Sequence, residues 1–336
     1  MTIAVIPDTQ ISMTEAGRAW EPQVAWLVAN AARLNLRFVL HVGDLVDKPY
    51  ELGQWERAAA GLAQFRLANI PYAITPGNHD LTLWSPQANP PPNRTTIDGQ
   101  PMTLVPNRSD VLDGDRRYFD DSYWRRFLPL EHSLRAAAGR AELVEVFPPE
   151  TTRNVAYTLT ASGIDLLLMT IEFGAGREVL GWARRVRASR LNHVLVIAAH
   201  DFIGTDGKIR GECGEGALAA QQGQLRPAEQ WEQLSDLNVD LLLSGHVVEC
   251  RGDVDCGQVG FVGRSTRRNA AGHLTQLLLA NYQGLSGVGH IAGDSGYLRL
   301  LTFHPDRSEV QVVTYSPHLD RYLRDPQNNF TIPANL

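Results

Sequence analysis

Cysteine is nearly missing from this chain: Cys213, Cys250 and Cys256 are its three thiols among 336 residues. Without a CxxC pair they build neither a zinc site nor a disulfide framework. Reduced, buried thiols are the favoured reading, and closure of a small loop between Cys250 and Cys256 is the alternative. Apolar runs are short as well. None reaches the roughly 18 residues that a membrane-crossing helix needs, so no span is expected. Positive charge is in deficit: 31 Lys and Arg stand against 37 Asp and Glu, for a net charge of −6. No basic stripe and no interleaving of aromatic with basic residues is present, so nucleic acid is not expected as a partner. Arg184-Arg185 and Arg267-Arg268 read as solvated faces. The opening MTIAVIPDTQ has no cationic segment and no small-residue cleavage site. It reads as a cytoplasmic start, or as a secreted or periplasmic one if a signal peptide has been removed. Repeats and low-complexity linkers are absent too, and the oligomeric state stays unknown.

What is present is an alternation of strands and helices. TIAVIP is a short apolar strand, and residues 20–36 carry Val24, Leu27, Val28, Ala31 and Leu34 at helical spacing. RFVLHVGD is a near-continuous apolar strand, as a sheet covered on both faces requires. Residues 53–68 read as a helix, and PYAITPGNHD as a strand running into a loop. About 84–121, rich in Pro, Asn and turn formers, reads as a loop or lid inserted in the domain. Then come the paired strands of VAYTLTASGIDLLLMTIE, a helix near 177–188, the strand HVLVIAAHD, a helix near 227–237 and the strand DLLLSGH. A C-terminal β-hairpin is expected at about 296–316, with Pro305-Asp306 in its turn. The whole, 1–336, is expected to be a single α/β domain with two sheets.

Five strand ends carry the chemistry. Asp8 and Gln10 follow the first strand, and Asp44 and Asp47 follow RFVLHVGD. Asn78, His79 and Asp80 follow the third strand, His200 ends HVLVIAAHD, and His246 ends DLLLSGH. Loops beyond the carboxyl ends of strands in such sheets converge on one crevice. Carboxylates, amide oxygens and imidazoles without thiolate suit a pair of borderline divalent ions. A carboxylate shared by two ions about 3.5–4 Å apart makes their bridging water a nucleophile near neutral pH. Gly43, Gly77 and Gly245 each precede a candidate ligand, where a sharp backbone turn is expected. Strand alternation predicts Asp8 and Gln10 on one side with Thr9 opposite. His41, inside VLHVGD, reads as a satisfied core histidine rather than a ligand.

In this order the pieces resemble the calcineurin-like metallophosphoesterases, whose motifs run DxH, GDxxD, GNH[DE], a lone His, and GHxH. Here they read Asp8-Thr9-Gln10, Gly43-Asp44-Leu45-Val46-Asp47, Gly77-Asn78-His79-Asp80, His200, and Gly245-His246-Val247-Val248. The tail, with LLLANYQ and GYLRLLTF, resembles the bacterial branch that carries PDTQ. The resemblance implies a four-layer α-β-β-α sandwich with two mixed central sheets, the metallophosphoesterase fold. It implies two divalent metal ions, Mn, Zn, Fe, Mg or Ca. Asp8 and Gln10 would hold the first, Asp44 would bridge, and Asn78, His200 and His246 would hold the second. His79 would serve the leaving group, with Asp47 or Asp80 orienting its ring. The implied activity is hydrolysis of phosphodiesters or phosphomonoesters of a small phosphorylated substrate by a metal-bridging hydroxide. The purple acid branch has a Tyr at the position of Asp47, so a colourless protein is expected.

Two departures stand out. Gln10 replaces the usual His, and Val248 stands where the last motif has its second His. Glu249 and Glu172 are acids that could substitute, and surface or neighbouring-shell roles are favoured for both. The departures keep open a single-metal binding protein that has weakened or lost catalysis, and the superfamily also contains nucleases. Loops 84–121 and DFIGTDGKIRGECGEG are expected to line the pocket, and their Arg94, Arg108 and Arg210 could contact a second phosphate oxygen or a charged leaving group, with exposed loop arginines the favoured reading.

Overall fold

In the computed structural model, residues 1–85, 94–97, 100–105, 118–132, 140–211, 224–287, 289 and 291–334 are described. Two seven-stranded sheets lie face to face. The first runs Arg321–Leu323, Glu309–Ser316, Leu298–His304, Thr2–Ile6, Leu36–His41 and Tyr72–Ile74, and Asn329–Pro333 also pairs with Glu309–Ser316. The second runs Phe261–Arg268, Leu274–Asn281, Leu241–Ser244, Val194–Ala199, Ile164–Ile171, Asn154–Ala161 and Glu142–Phe147. The second has a parallel centre with antiparallel flanks, whereas in the first the parallel strands Thr2–Ile6, Leu36–His41 and Tyr72–Ile74 lie at one edge beside the antiparallel ones.

The period-2 geometry of a strand sorts its apolar residues between two cores. Ile3, Val5, Phe38 and Leu40 meet Leu166, Leu168, Val196, Ala198, Leu241 and Leu243 between the sheets. Their neighbours Ala4, Ile6 and Val39 face outward onto Val24, Leu27, Trp55, Leu62 and Phe65 of the helices Trp20–Asn30 and Leu52–Leu67. Leu167, Met169, Leu195 and Ile197 likewise turn outward onto Val179, Trp182 and Val186 of the helix Arg177–Ala188. The continuous apolar strands therefore serve two cores each, and the result is the expected four layers of helix, sheet, sheet and helix.

The helix predicted over 20–36 stops at Asn30, and the chain leaves it through Asn35 at φ 48°. The insertion read as a loop contains four strands, Thr82–Ser85, Arg94–Ile97, Gln100–Val105 and Tyr118–Asp120, in an antiparallel sheet of their own. Leu298–His304 and Glu309–Ser316 form the C-terminal hairpin across Pro305–Ser308. Cys250 and Cys256 are joined in a disulfide, against the reading of reduced thiols. Their Cα atoms lie 5.9 Å apart, within ordinary disulfide reach, a proximity that spacing alone did not decide.

Candidate active site

The carboxyl ends of the parallel strands in both sheets meet at one edge of the sandwich. Thr75 Oγ1 donates to the Ala198 carbonyl at 3.1 Å and ties the sheets together there. Above this tie, His200 Nε2 lies 3.0 Å from Asn78 Oδ1 and 3.2 Å from Asp44 Oδ2. His246 Nδ1 lies 2.8 Å from Asn78 Oδ1 and 3.2 Å from His200 Nε2. His200 Nδ1 lies 2.9 Å from the Val42 carbonyl, which fixes this nitrogen as the donor and leaves Nε2 its lone pair. Ligands about 2.0–2.1 Å from a tetrahedral ion sit roughly 3.3 Å from one another. Within this cage the contacts of His200 Nε2 and Asn78 Oδ1 fit that spacing in slightly contracted form, and the donor atoms of Asp44, His200 and His246 all lie within 4.8 Å of one another.

The backbone is bent to make this cage. Asp44 and His246 have φ of 53° and 67°, in the left-handed region that side-chain-bearing residues seldom occupy. Gly43, at φ 108°, has the conformational need expected of it. Gly77 and Gly245 serve differently: neither has positive φ, but a Cβ on Gly77 would collide with the Asp44 carboxylate and one on Gly245 with that of Asp8.

The electrostatics favour a positive charge in the cage. With neutral His200, the lone pairs of Nε2, Asn78 Oδ1 and Asp44 Oδ2 face one point. Burial opposes charge on His200, yet the Asp44 carboxylate outweighs it and raises the imidazole pKa to about 10. Burial lowers His246 to about 4, and the charge on His200 adds to this although Asp201 pulls the other way. Burial also works to raise Asp44, but its contacts with His200 dominate and hold it well below the usual carboxylate range. A proton or a metal ion satisfies this arrangement, and the mixed N and O donors suit a divalent ion.

The residues expected to hold a first ion are less completely gathered. The strand ends at Ile6 and Gln10 opens a short helix, Gln10–Met13, so the alternation expected for Asp8 and Gln10 does not apply beyond Pro7. Asp8 is buried and accepts from His246 N at 3.0 Å and from Asn281 Nδ2 at 3.0 Å. Burial raises its pKa to about 7, with the charge of Asp44 adding and that of His200 opposing. Gln10 is also buried, and among the described residues its Oε1 has no hydrogen-bond partner, an orphaned acceptor of the kind a cation satisfies. No substitute for the missing histidine is found among the described residues. Val248 is 53% exposed. Glu249 lies in a loop rather than a continued strand and pairs with Arg251 at 2.7 Å. Glu172 is buried in a two-pronged pair with Arg153, at 2.6 and 2.8 Å.

His79 lies beside the cage. Its backbone N–H donates to Asp44 Oδ1 at 2.9 Å, and its ring Nδ1 lies 2.8 Å from the Asp47 carbonyl. The Asp47 carboxylate is further, at 3.6 Å, so Asp47 orients the ring chiefly through its main chain. Burial opposes charge on His79, but Asp44, the Asp47 carbonyl and the Asp47 and Asp80 carboxylates together raise its pKa. The role considered for Asp80 is revised. Its oxygens accept Val46 N at 3.0 Å and Gly77 N at 2.8 Å, so it braces the two ligand loops rather than the His79 ring. Burial and the charge of Asp44 raise it to about 7, against those two N–H donors.

Three neighbours were not singled out from sequence. Asn281 holds Asp8, and its own Oδ1 accepts Gln283 N at 2.9 Å, which fixes the amide orientation. It closes the apolar run LLLA with a polar residue, the same signal the other strand ends gave. Phe173 stands beside His246 and His200, with ring centroids 5.5 and 5.9 Å away. Asp201 pairs with Arg210 at 3.3 Å. Arg108 and the side chain of Arg94 lie outside the described residues.

A family model described as calcineurin-like phosphoesterase matches residues 1–250. A Bacillus subtilis (strain 168) protein recorded as uncharacterized, YvnB, is 23% identical over 318 residues, 95% of this chain and 20% of that protein. The chain thus spans a fifth of the length of this curated relative. Among solved structures, a purple acid phosphatase from yellow lupin (Lupinus luteus) seeds is similar with a TM-score of 0.49 and 13% identity, over 99% of this chain and 53% of that one. The NAD nucleotidase of Haemophilus influenzae is similar with a TM-score of 0.44 and 10% identity, over 99% and 49%.

Proposed function

The chain belongs to the calcineurin-like phosphoesterase family, and from that membership we propose that it hydrolyses phosphate esters of small substrates with divalent metal ions. The observation that carries the reading is the four-donor cage of Asp44, Asn78, His200 and His246. These residues would hold one ion. Asp8, Gln10 and Asp44 would hold a second, with Asp44 shared. Bound divalent ions would supply positive charge to the phosphoryl oxygens and a water deprotonated near neutral pH.

The chain's own groups do the rest. Contact with the Asp47 carbonyl assigns the Nδ1 proton of His79 to that oxygen, so Nε2 would be the ring atom that meets substrate. Its raised pKa favours the protonated ring, which donates to the departing oxygen. The main-chain bond from His79 to Asp44 couples the position of this acid to the cage.

Replacing a positioned general acid costs about 10²–10⁴-fold in rate. His79→Ala is therefore expected to lose at least about a hundredfold in kcat on phenyl phosphate, whose leaving group needs a proton, with its metal content intact by mass spectrometry. An unchanged kcat removes the role of His79. Asp47→Asn keeps the orienting carbonyl and is expected to lose far less than His79→Ala. Asp44→Asn should lose both ions and turnover, and full occupancy in that variant would count against a shared carboxylate.

A second reading has an observation of its own. Asp44, His200 and His246 bring their ligand atoms within 4.8 Å of one another without Asp8, and the position of Val248 supplies no donor. A single-ion protein with weak or no turnover would follow. Ion counting separates the readings: two per chain supports the hydrolase centre as drawn, and one per chain with no turnover supports the rival.

A further inference from the structure

Next to His246 the surface folds into a shallow cleft open to solvent. One wall is the loop after His200, residues 204–210, and the other is the loop after His246, residues 247–251. Both walls are internally fixed. Ile203 bridges Ile209, Gly204 N donates to the Lys208 carbonyl at 2.9 Å, and Arg210 N donates to the Phe202 carbonyl at 3.0 Å. The walls are also fixed to each other, because Arg251 N donates to Thr205 Oγ1 at 2.7 Å and that hydroxyl reaches the Arg251 carbonyl at 3.0 Å. The Cys250–Cys256 disulfide closes the second loop.

Lys208, Arg210 and Arg251 line the cleft, as do Asp206 and Glu249. Lys208 pairs with Asp206 at 3.5 Å and Arg251 with Glu249 at 2.7 Å. Arg210 is held differently. Its Nε faces the buried Asp201 carboxylate at 3.3 Å. A guanidinium has four further donors on its two terminal nitrogens, and here these have no hydrogen-bond partner among the described residues. The side chain is 27% exposed, so the inner nitrogen is ion-paired with Asp201, without a hydrogen bond to it, and the outer fork is open. The anchor, Asp201, directly follows the ligand His200. The charge of Arg210 is felt at His246, where it opposes protonation.

We propose that this cleft receives a second anionic group of the substrate, a phosphate or carboxylate beyond the ester that is cleaved, held by the outer fork of Arg210 with Lys208 and Arg251 at its rim. The proposal rests on the phosphoesterase reading and narrows it to substrates that carry an additional negative charge. A planar fork on a fixed stem matches two oxygens of such a group, which a lysine point charge does not. The ion pair at Nε lowers the ordering that binding would otherwise require.

The test uses the metal-loaded protein and three substrates: phenyl phosphate, its para-carboxylate and its para-phosphate. For each, kcat/KM is measured in the wild type, Arg210→Ala and Arg210→Lys. Arg210→Lys keeps a cation opposite Asp201 and guards against a loop that unfolds when that carboxylate is left alone. The wild-type preference for the charged substrates over phenyl phosphate is expected to fall about tenfold or more in Arg210→Ala. Arg210→Lys should fall in between, with the loss in KM rather than kcat. Equal loss on all three substrates, or no wild-type preference, overturns the proposal. If the loaded protein turns over none of them, the hydrolase reading fails, and calorimetric titration with inorganic pyrophosphate then decides the cleft. Binding that disappears in Arg210→Ala supports it, and absence of binding in the wild type sinks it.

Discussion

His41 shows how one buried side chain sets a pH dependence. Gly43 N donates to its Nδ1 at 3.1 Å, so Nε2 carries the proton and donates to Thr9 Oγ1 at 2.9 Å. That hydroxyl in turn donates to the Leu45 carbonyl at 3.1 Å. The neutral ring pins the loop bearing Asp8 to the loop bearing Asp44. Burial lowers its pKa to about 3, and the charge of His200 adds to this against Asp44. In the unfolded chain a histidine binds its proton near pH 6.5. Below that pH the unfolded state takes up a proton that the folded state refuses. The contribution of His41 is therefore whole above about pH 6.5 and is lost as pH falls toward 3, at up to about 1.4 kcal/mol per pH unit. His41→Gln removes this titration, so its urea midpoint should decline more shallowly than the wild type's between pH 6 and 4. Parallel slopes would contradict the neutral relay. The core role of His41 was legible because it sits in an unbroken apolar strand. The place of Gln10 was not, because Pro7 ends the strand and the period-2 rule with it.

Among the elements, legibility followed burial. VLVIAA and LLLS, covered on both faces, are nearly pure apolar runs and were readable as strands. The edge strands Phe261–Arg268 and Glu142–Phe147 were not, since exposure allows FVGRSTRR and ELVEVF to look like polar turns and loops. The cluster of candidate ligands was readable because each follows an apolar run, but the filled hands of Glu172 and Glu249 were not. Arg153 and Arg251 reach them only in the folded chain. The disulfide belongs to this scale as well. Cys256 opens the short helix Cys256–Val259, so the bridge fastens the loop after His246 to an ordered element. Closing so short a loop stabilises by about 2 kcal/mol on the chain-entropy account. Cys250→Ser is expected to lose about that much in denaturant unfolding, and reductant should lower the wild type to the same level while leaving the variant unmoved. A wild type indifferent to reductant would refute the bridge's contribution.

At the scale of the whole molecule, the cage is a joint between the two sheets. Asp44 and Asn78 follow strands Leu36–His41 and Tyr72–Ile74 of one sheet, and His200 and His246 follow strands Val194–Ala199 and Leu241–Ser244 of the other. Below the cage the sheets are held by apolar packing and by the bonds from Thr75 to Ala198 and from His200 to Val42. A cation bound by all four donors would join both halves of the sandwich, and folding and binding would then be linked. A ligand that binds only the folded state stabilises it by about 2.7 kcal/mol when present at a hundred times its Kd. Protein treated with chelator should therefore melt several degrees below protein given manganese or zinc. Asn78→Ala, which removes a donor in contact with both imidazoles, should lose most of that increment, while His304→Gln, remote from the cage, should keep it. Both sheets should lose structure in one transition when the ion is present, and hydrogen exchange at Leu40 and Ile197 reads each half separately. A melting temperature that ignores the chelator, or that rises equally in Asn78→Ala, would mean that packing alone joins the sheets and that the cage carries charge without bearing structure.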